Sequence, residues 1–259
     1  MPKDMTPEEM VSRLLYRDGL MLVIDKPAGF AVHNGPKGGV SLQDHFDALR
    51  FGLPRSPSLA HRLDRDTSGC LVLGRHRKAL AALGKRFKNG EIGKTYWAVV
   101  EGAPETDDGV IELALGRLDV TRGWWMKHDP DGQPAVTKWK VMGRDPAHAL
   151  AWLALEPQTG RTHQLRVHCA ETGWPILGDN IYGNAPRHAA LLGGPVLHLH
   201  AREVVVPLYK NREPIKVTAP VPPHMHERLM QCGWPGEEQR ITLAPNAALP
   251  EPAISKSSV

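Results

Sequence analysis

Ionisable side chains crowd residues 60 to 70, AHRLDRDTSGC, at a density that neither flank matches. His61, Arg62, Asp64, Arg65 and Asp66 stand together, and Thr67, Ser68 and Gly69 supply the hydroxyls and permissive backbone that a tight turn needs. Upstream lies the loop-like PRSPSLA. Downstream is CLVLG, an apolar run that suits a buried strand closed by Gly74. A polar loop feeding a core strand is where binding and catalysis concentrate. The chemistry on offer is that of a carboxylate among arginines. Burial raises a carboxyl pKa, a neighbouring arginine lowers it by about 1 to 3 units, and a carboxylate so held can serve as nucleophile or base. The residue types alone also suit an ordinary turn, in which Asp and Ser bond their own backbone and surface charges pair weakly.

HRLDRDTSG resembles the signature of the RluA-type RNA pseudouridine synthases, H-R-L-D-x-x-T-S-G, at every fixed position. Two further stretches are similar to that family, KTYWAVV from Lys94 and TGRTHQLRVH from Thr159, and KPAGFAVH resembles its early K-P-x-G loop. The resemblance spans roughly residues 16 to 220. It implies an α+β fold, pseudouridine synthase-like, with a mixed, mainly antiparallel sheet, flanking helices and an active-site cleft. It also implies an enzyme that breaks the bond between ribose C1′ and uracil N1, turns the base and joins C1′ to C5. Bonds are exchanged without redox change, so no metal, nucleotide or redox cofactor is expected. The family's S4-type RNA-binding module is expected to be absent, because fewer than twenty residues precede the first strand.

Site residues follow from the same resemblance. Asp64 takes the place of the indispensable carboxylate, which in the family either attacks C1′ or removes the 2′ proton. Arg166 is its expected partner, its planar guanidinium holding the carboxylate in a two-point geometry. Tyr96, from the K-x-Y motif, is expected to lay its ring on uracil and to help remove the C5 proton. A paired or stacked uridine must first be flipped out, and Arg62 resembles the arginine that fills the gap. Lys94, Arg161, His163 and Gln164 are candidates for phosphate or ribose contacts. His61 is expected to orient the loop, and Thr67 and Ser68 to hold its turn.

Elements must position these groups. A helix is expected over residues 6–15, after Thr6 and Pro7, then a strand in LMLVID from Leu20. A capped helix is expected from Ser41, with Leu42, Phe46 and Leu49 on one face, and another in HRKALAALGKRFKNG, ended by Asn89 and Gly90. TYWAVVEG reads as a strand whose alternation sets Tyr96, Ala98 and Val100 on one face and Trp97 and Val99 on the other, so that Tyr96 can face a cleft. GVIELALG, GWWMKH, AVTKWKVMG and ALAWLALEP read as further strands, with a turn at DPDGQP. Residues 162–171 read as helix, LHLHAREVVVPL and PIKVTAP as strands, and HMHERLMQCG as a last short helix. Strands in meander order with few helices favour an antiparallel or mixed α+β sheet. The expected organisation is an N-terminal extension over 1–15, a catalytic domain over 16–220 and a tail over 221–259, partly helical and then loose.

Composition bounds the partners. The 259 residues are 41% hydrophobic and 23% charged, ordinary globular values, with no apolar run long enough for a membrane helix and no secretory core at the N-terminus. A cytoplasmic protein without membrane association is expected. Cys70, Cys169 and Cys232 are scattered and odd in number, which argues against a disulfide framework or a cysteine-based zinc site. Net charge is +4. It concentrates from Arg75 to Lys94, where Arg75, Arg77, Lys78, Lys85, Arg86, Lys88 and Lys94 face the single acid Glu91. Such a patch suits phosphate contact and RNA as partner. Stem-loops of rRNA and/or tRNA are the expected substrates, read by shape and loop bases, and the chain is expected to act as a monomer. Trp124 and Trp125 suit either base stacking or core packing. Two rival readings are a metal-dependent hydrolase, suggested by His163 with His168 and His198 with His200, and a non-catalytic RNA-binding domain that retains the fold.

Overall fold

The computed structural model describes residues 5–34, 39–119, 125–147, 149–184 and 196–236. Helix α1 (Pro7–Ser12) opens with a capping box, in which the Thr6 hydroxyl accepts the Glu9 N–H while the Glu9 carboxylate accepts the Thr6 N–H. The helix expected to reach residue 15 stops three residues short. Leu14 instead begins β1 (Leu14–Arg17), which pairs antiparallel with β2 (Met21–Lys26). Asp18 makes that hairpin, its Oδ1 accepting the N–H groups of Leu20 and Met21. The helix expected from Ser41 is a 3-10 helix, Leu42–Leu49, and still buries Leu42, Phe46 and Leu49. The proline-rich link to His61 contributes a short strand, β3 (Ser58–Leu59), beside β4 (Ser68–Gly74).

Helix α2 (Arg77–Lys88) ends at Asn89, and Gly90 follows at φ +70°. The meander is β5 (Gly93–Glu101), β6 (Asp108–Glu112), β7 (Leu115–Arg117), β8 (Met126–His128), β9 (Val136–Arg144) and β10 (Leu150–Pro157). The stretch expected as one strand from Gly109 is therefore split between β6 and β7, and β7 pairs with β8 as a separate ribbon. Then come α3 (Gln164–Glu171), β11 (Leu199–Val206), β12 (Ile215–Thr218) and α4 (Pro223–Gln231). Ten strands form one sheet in the order β1-β2-β4-β11-β5-β10-β9-β6, with β12 beside β11 and β3 beside β4. Every pairing is antiparallel except β4 with β11. The expected α+β class and mainly antiparallel sheet are what the chain forms.

One row of residues crosses the sheet. Lys26 pairs with Gly69, Gly69 with Ala201, Ala201 with Tyr96, Tyr96 with Leu155, and Leu155 with Trp139. Gly69 is required where the parallel seam forms: its φ is +103°, and a Cβ there would run into the Ala201 backbone. Alternation along β5 divides the two faces as expected. Ala98 and Val100 pack with Leu165 and Cys169 of α3, and Tyr96 lies against the same cluster. Trp97 lies on the opposite face, against the cluster of Val99, Trp152, Met225, Leu229 and Trp234.

That second cluster includes residues of α4, the helical part expected of the tail. Met225, Leu229 and Trp234 are buried against the sheet, so the packed unit runs at least to Trp234. Each such burial is worth about 1.5–3 kcal/mol, which is why α4 belongs to the domain. At the other end Met5 and Met10 are buried in the core, so the described part of the N-terminal extension is packed as well. The stretch of the tail expected to be loose, and Trp124, lie outside the described residues.

Candidate active site

The Asp64 loop is fixed from three sides. The Asp64 carbonyl accepts the Thr67 N–H at 3.2 Å, closing a turn with Arg65 and Asp66 at its corners. On one side the K-P-x-G loop lies against it: the Arg65 carbonyl accepts both the Lys26 ammonium at 2.8 Å and the Gly29 N–H at 2.9 Å. Lys26 is fully buried, its ammonium also donating to the Pro27 carbonyl at 2.8 Å, and burial pushes its pKa down to about 7 against the pull of Asp66 and Asp64. On the second side the Ser68 hydroxyl meets His200 Nδ1 at 2.9 Å. On the third, His61 Nε2 accepts the Val72 N–H at 3.0 Å while its ring stacks on Phe87 of α2. Burial drives the His61 pKa down to about 3, consistent with a neutral ring that accepts.

A cleft of about 990 Å³ opens over this loop. It is lined by all eight residues singled out from the sequence: Arg62, Asp64, Lys94, Tyr96, Arg161, His163, Gln164 and Arg166. Among the described residues its charged lining is five cations, with Lys88 joining Arg62, Lys94, Arg161 and Arg166, against one carboxylate, Asp64. Such a balance suits a polyanion. Asp64 is about three-tenths exposed, with Arg166 Nη1 at 3.6 Å and His163 Nε2 at 3.8 Å from its Oδ2. Tyr96 is half-buried on the cleft face, and burial together with the Asp64 charge raises its pKa, so the phenol keeps its proton.

The arrangement differs from expectation at three residues. Arg166 does make a two-point pair, but with Asp179: Nε to Oδ2 and Nη2 to Oδ1, both 2.7 Å and both residues buried. Geometry decides this, because only Nη1 is left to turn toward Asp64. Burial lowers the Arg166 pKa, the hydrogen bonds and charge of Asp179 outweigh it, and the net shift is upward. Asp179 is pushed below the usual carboxylate range by the same pairing and by the N–H groups of Ile181 and Tyr182. Gln164 was expected to touch RNA. Its Oε1 accepts from Thr159 Oγ1 and the Arg161 N–H, its Nε2 donates to the Val136 carbonyl and Thr137 Oγ1, and the amide has nothing left to offer a ligand. His163 is buried, meeting Tyr182 Oη through Nδ1 at 2.7 Å.

Lys94 lines the cleft with burial lowering its pKa, and Arg161 lines it while donating to the Pro134 carbonyl. Arg62 is exposed at the mouth. Two of the basic residues from the patch serve the fold instead: Arg75 bonds the Asp18 carbonyl, and Arg86 those of Pro207 and Leu208. Asp179 and Tyr182 escaped the reading of the sequence. Their segment, WPILGDNIYG, reads only as loop, and its one signal is a carboxylate and a phenol set between Gly178 and Gly183. Among the described residues no three metal-ligating side chains converge.

The fold is similar to that of the solved structure of human RNA pseudouridylate synthase domain containing 4, with a TM-score of 0.71 and 25% identity over 87% of this chain and 95% of that one. The family model described as RNA pseudouridylate synthase matches residues 20–171. An uncharacterised RNA pseudouridine synthase of Zymomonas mobilis is 40% identical over 82% of this chain and 95% of its own length. Ribosomal large subunit pseudouridine synthase D of Xanthomonas campestris is 38% identical over 87% of this chain and 70% of its own. Synthase C of Haemophilus ducreyi is 36% identical over 84% and 68%. The chain belongs to the RNA pseudouridine synthase family, in its RluA-type branch, and is an isomerase of that class. Among the described residues no helix has the length and apolarity to cross a membrane.

Proposed function

We propose that the protein isomerises specific uridines of rRNA and/or tRNA, that Asp64 is the essential carboxylate, and that the target uridine is flipped into the cleft. The observation that carries this reading is the position of Asp64: among the described residues the one carboxylate in a cationic cleft, facing a buried arginine and sharing the cavity with Tyr96. The cavity has room for a nucleotide and its flanking phosphates. Asp64 either bonds C1′ as uracil leaves or takes the 2′ proton to give a glycal. Arg166 sets positive charge beside the carboxylate without engaging it in a short bond. Tyr96 offers its ring face to uracil. The C5 proton is lost as N1 of the turned base gains one, and the protonated phenol of Tyr96 serves as the relay between the two. The buried surroundings keep water from the detached base and the exposed C1′.

Arg62, at the mouth, fills the stack that the uridine vacates, and Lys94, Lys88 and Arg161 hold phosphates. We take the protein to act as a monomer. The names of the relatives point to large-subunit rRNA as the first RNA to try. The test is to incubate unmodified rRNA and tRNA separately with the protein and with Asp64→Asn, then map pseudouridine by carbodiimide-dependent primer-extension stops. Stops made by the unaltered protein alone, at discrete sites, are expected. RNA binding with no stops in either pool would favour a non-catalytic RNA-binding domain.

A further inference from the structure

Two groups face Asp64, and the nearest approach of each is to the same oxygen, Oδ2, at 3.6 Å for Arg166 Nη1 and 3.8 Å for His163 Nε2. Both groups are held from behind. Arg166 is anchored by Asp179. His163 is anchored by Tyr182, whose hydroxyl oxygen lies 2.7 Å from Nδ1 and also accepts the Met126 backbone N–H at 2.9 Å. The roles of Oη and Nδ1 turn on the tautomer: with its oxygen already accepting the Met126 N–H, the phenol has its proton to give, and a ring with Nδ1 bare takes it. A neutral imidazole that accepts at Nδ1 carries its proton on Nε2, the nitrogen turned to Asp64. The imidazole pKa is lowered by burial in spite of the Asp64 charge, in keeping with a neutral ring.

The backbone agrees. His163 precedes α3 with φ +53° and ψ +17°, a left-handed conformation that few residues other than glycine adopt. Strain of this kind persists where surrounding contacts over-determine it, and it clusters at functional sites. The Tyr182 ring also lies under Arg166, 5.2 Å from the guanidinium carbon to the ring centroid, so one residue braces both neighbours of the carboxylate.

We propose that Tyr182 and His163 form a positioning arm that aims an N–H at Oδ2 of Asp64 and, together with Arg166, leaves Oδ1 as the oxygen presented to the ribose. This rests on Asp64 being the reacting carboxylate. His163 and Tyr182 are positioning residues, neither touching the substrate, and His163 serves the carboxylate rather than the RNA.

The test measures tritium release from pooled rRNA and tRNA labelled at uridine C5, for Tyr182→Phe, His163→Leu, His163→Gln, the double variant H163Q/Y182F and Asp64→Asn. Loss of one oriented donor is expected to lower kcat about 10-fold in Tyr182→Phe and His163→Leu, with KM for RNA within about 2-fold. Gln places an amide N–H close to Nε2, so His163→Gln is expected to recover to within about 3-fold of the unaltered protein. Gln and Leu meet the same left-handed backbone, so their comparison isolates the donor and holds even if Tyr182→Phe fails to fold. In the His163→Gln background, Tyr182→Phe is expected to change kcat no further. Unchanged kcat in Tyr182→Phe, or equal impairment by Gln and Leu at 163, overturns the arm. Should either occur with Asp64→Asn inactive, the arm alone fails. An active Asp64→Asn would instead remove the reading on which it rests.

Discussion

The carboxylate that the sequence marked, Asp64, is the more loosely held of two that share Arg166. Asp179 takes the two short bonds, and Asp64 takes the longer approach of the remaining nitrogen. A guanidinium locked by one carboxylate can lend charge to another without consuming its lone pairs, which suits a group that must reach C1′ or the 2′ proton. Asp179→Asn keeps the shape and removes the charge, leaving Arg166 buried without its counterion. A stability loss of about 3–5 kcal/mol is expected from broken buried pairs of this kind, read from the urea midpoint, with kcat down at least about 10-fold. Unchanged stability would mean that Asp64 can hold Arg166 by itself. Asp64, Tyr96 and Arg166 were legible because each lies in a dense local motif. Asp179 and Tyr182 were not, because a turn between glycines carries no periodicity, and their value comes from Arg166 and His163, which lie 13 and 19 positions away in sequence.

At the scale of elements, the site depends on the seam where β4 and β11 run parallel. Ser68 and Gly69 pair there with His200 and Ala201, and Ala201 in turn pairs with Tyr96, which links the loop carrying Asp64 to the strand carrying the phenol. Gly69→Ala must place a methyl group into the Ala201 backbone at a positive φ. A loss of about 3 kcal/mol or more is expected from the combined overlap and backbone strain, measured by thermal melting with tritium release alongside. Full stability would show that the seam can part without harm. Most strands were readable from β-branched and aromatic runs, and the period of two placed Tyr96 correctly. The seam was not readable, because pairing between residues 132 positions apart leaves no local signal. Nor was the end of α1 at Ser12, where Asp18 builds a hairpin that draws Leu14 and Leu15 out of the helical pattern.

At the scale of the molecule, the back of the sheet is closed by α4. A chain ended at residue 220 would uncover Trp97, Val99 and Trp152 and forgo the burial of Met225, Leu229 and Trp234. Those three together are worth about 4–9 kcal/mol, comparable with the whole stability of a typical domain. Loss of cooperative unfolding is expected, followed by near-UV circular dichroism; a native spectrum would instead support a boundary at Pro220. Acid should also act on the whole fold. Burial pushes His61 to about 3 and His198 to about 4, and lowers His163, His168 and His224 as well. As pH falls through about 6.5 the unfolded chain takes up protons that the folded chain refuses, so stability is full above about 6.5 and declines toward about 4. Each such histidine contributes a slope of up to about 1.4 kcal/mol per pH unit in that window. Urea midpoints at pH 7.5, 6 and 5 are expected to fall in that order, and a flat series would contradict the buried neutral rings. The packing of α4 escaped the sequence because HMHERLMQCG shows a helix but not the sheet face that its apolar side covers.

The role given to Asp64 is tested most directly by the rate of tritium release from C5-labelled uridine RNA, with Asp64→Asn beside the unaltered protein and both shown to be folded and to bind RNA. A fall of about 10³-fold or more at unchanged RNA affinity is the expected result for removal of a reacting group. Release by Asp64→Asn within about 10-fold of the unaltered rate would contradict it and return the cleft to the other groups that line it.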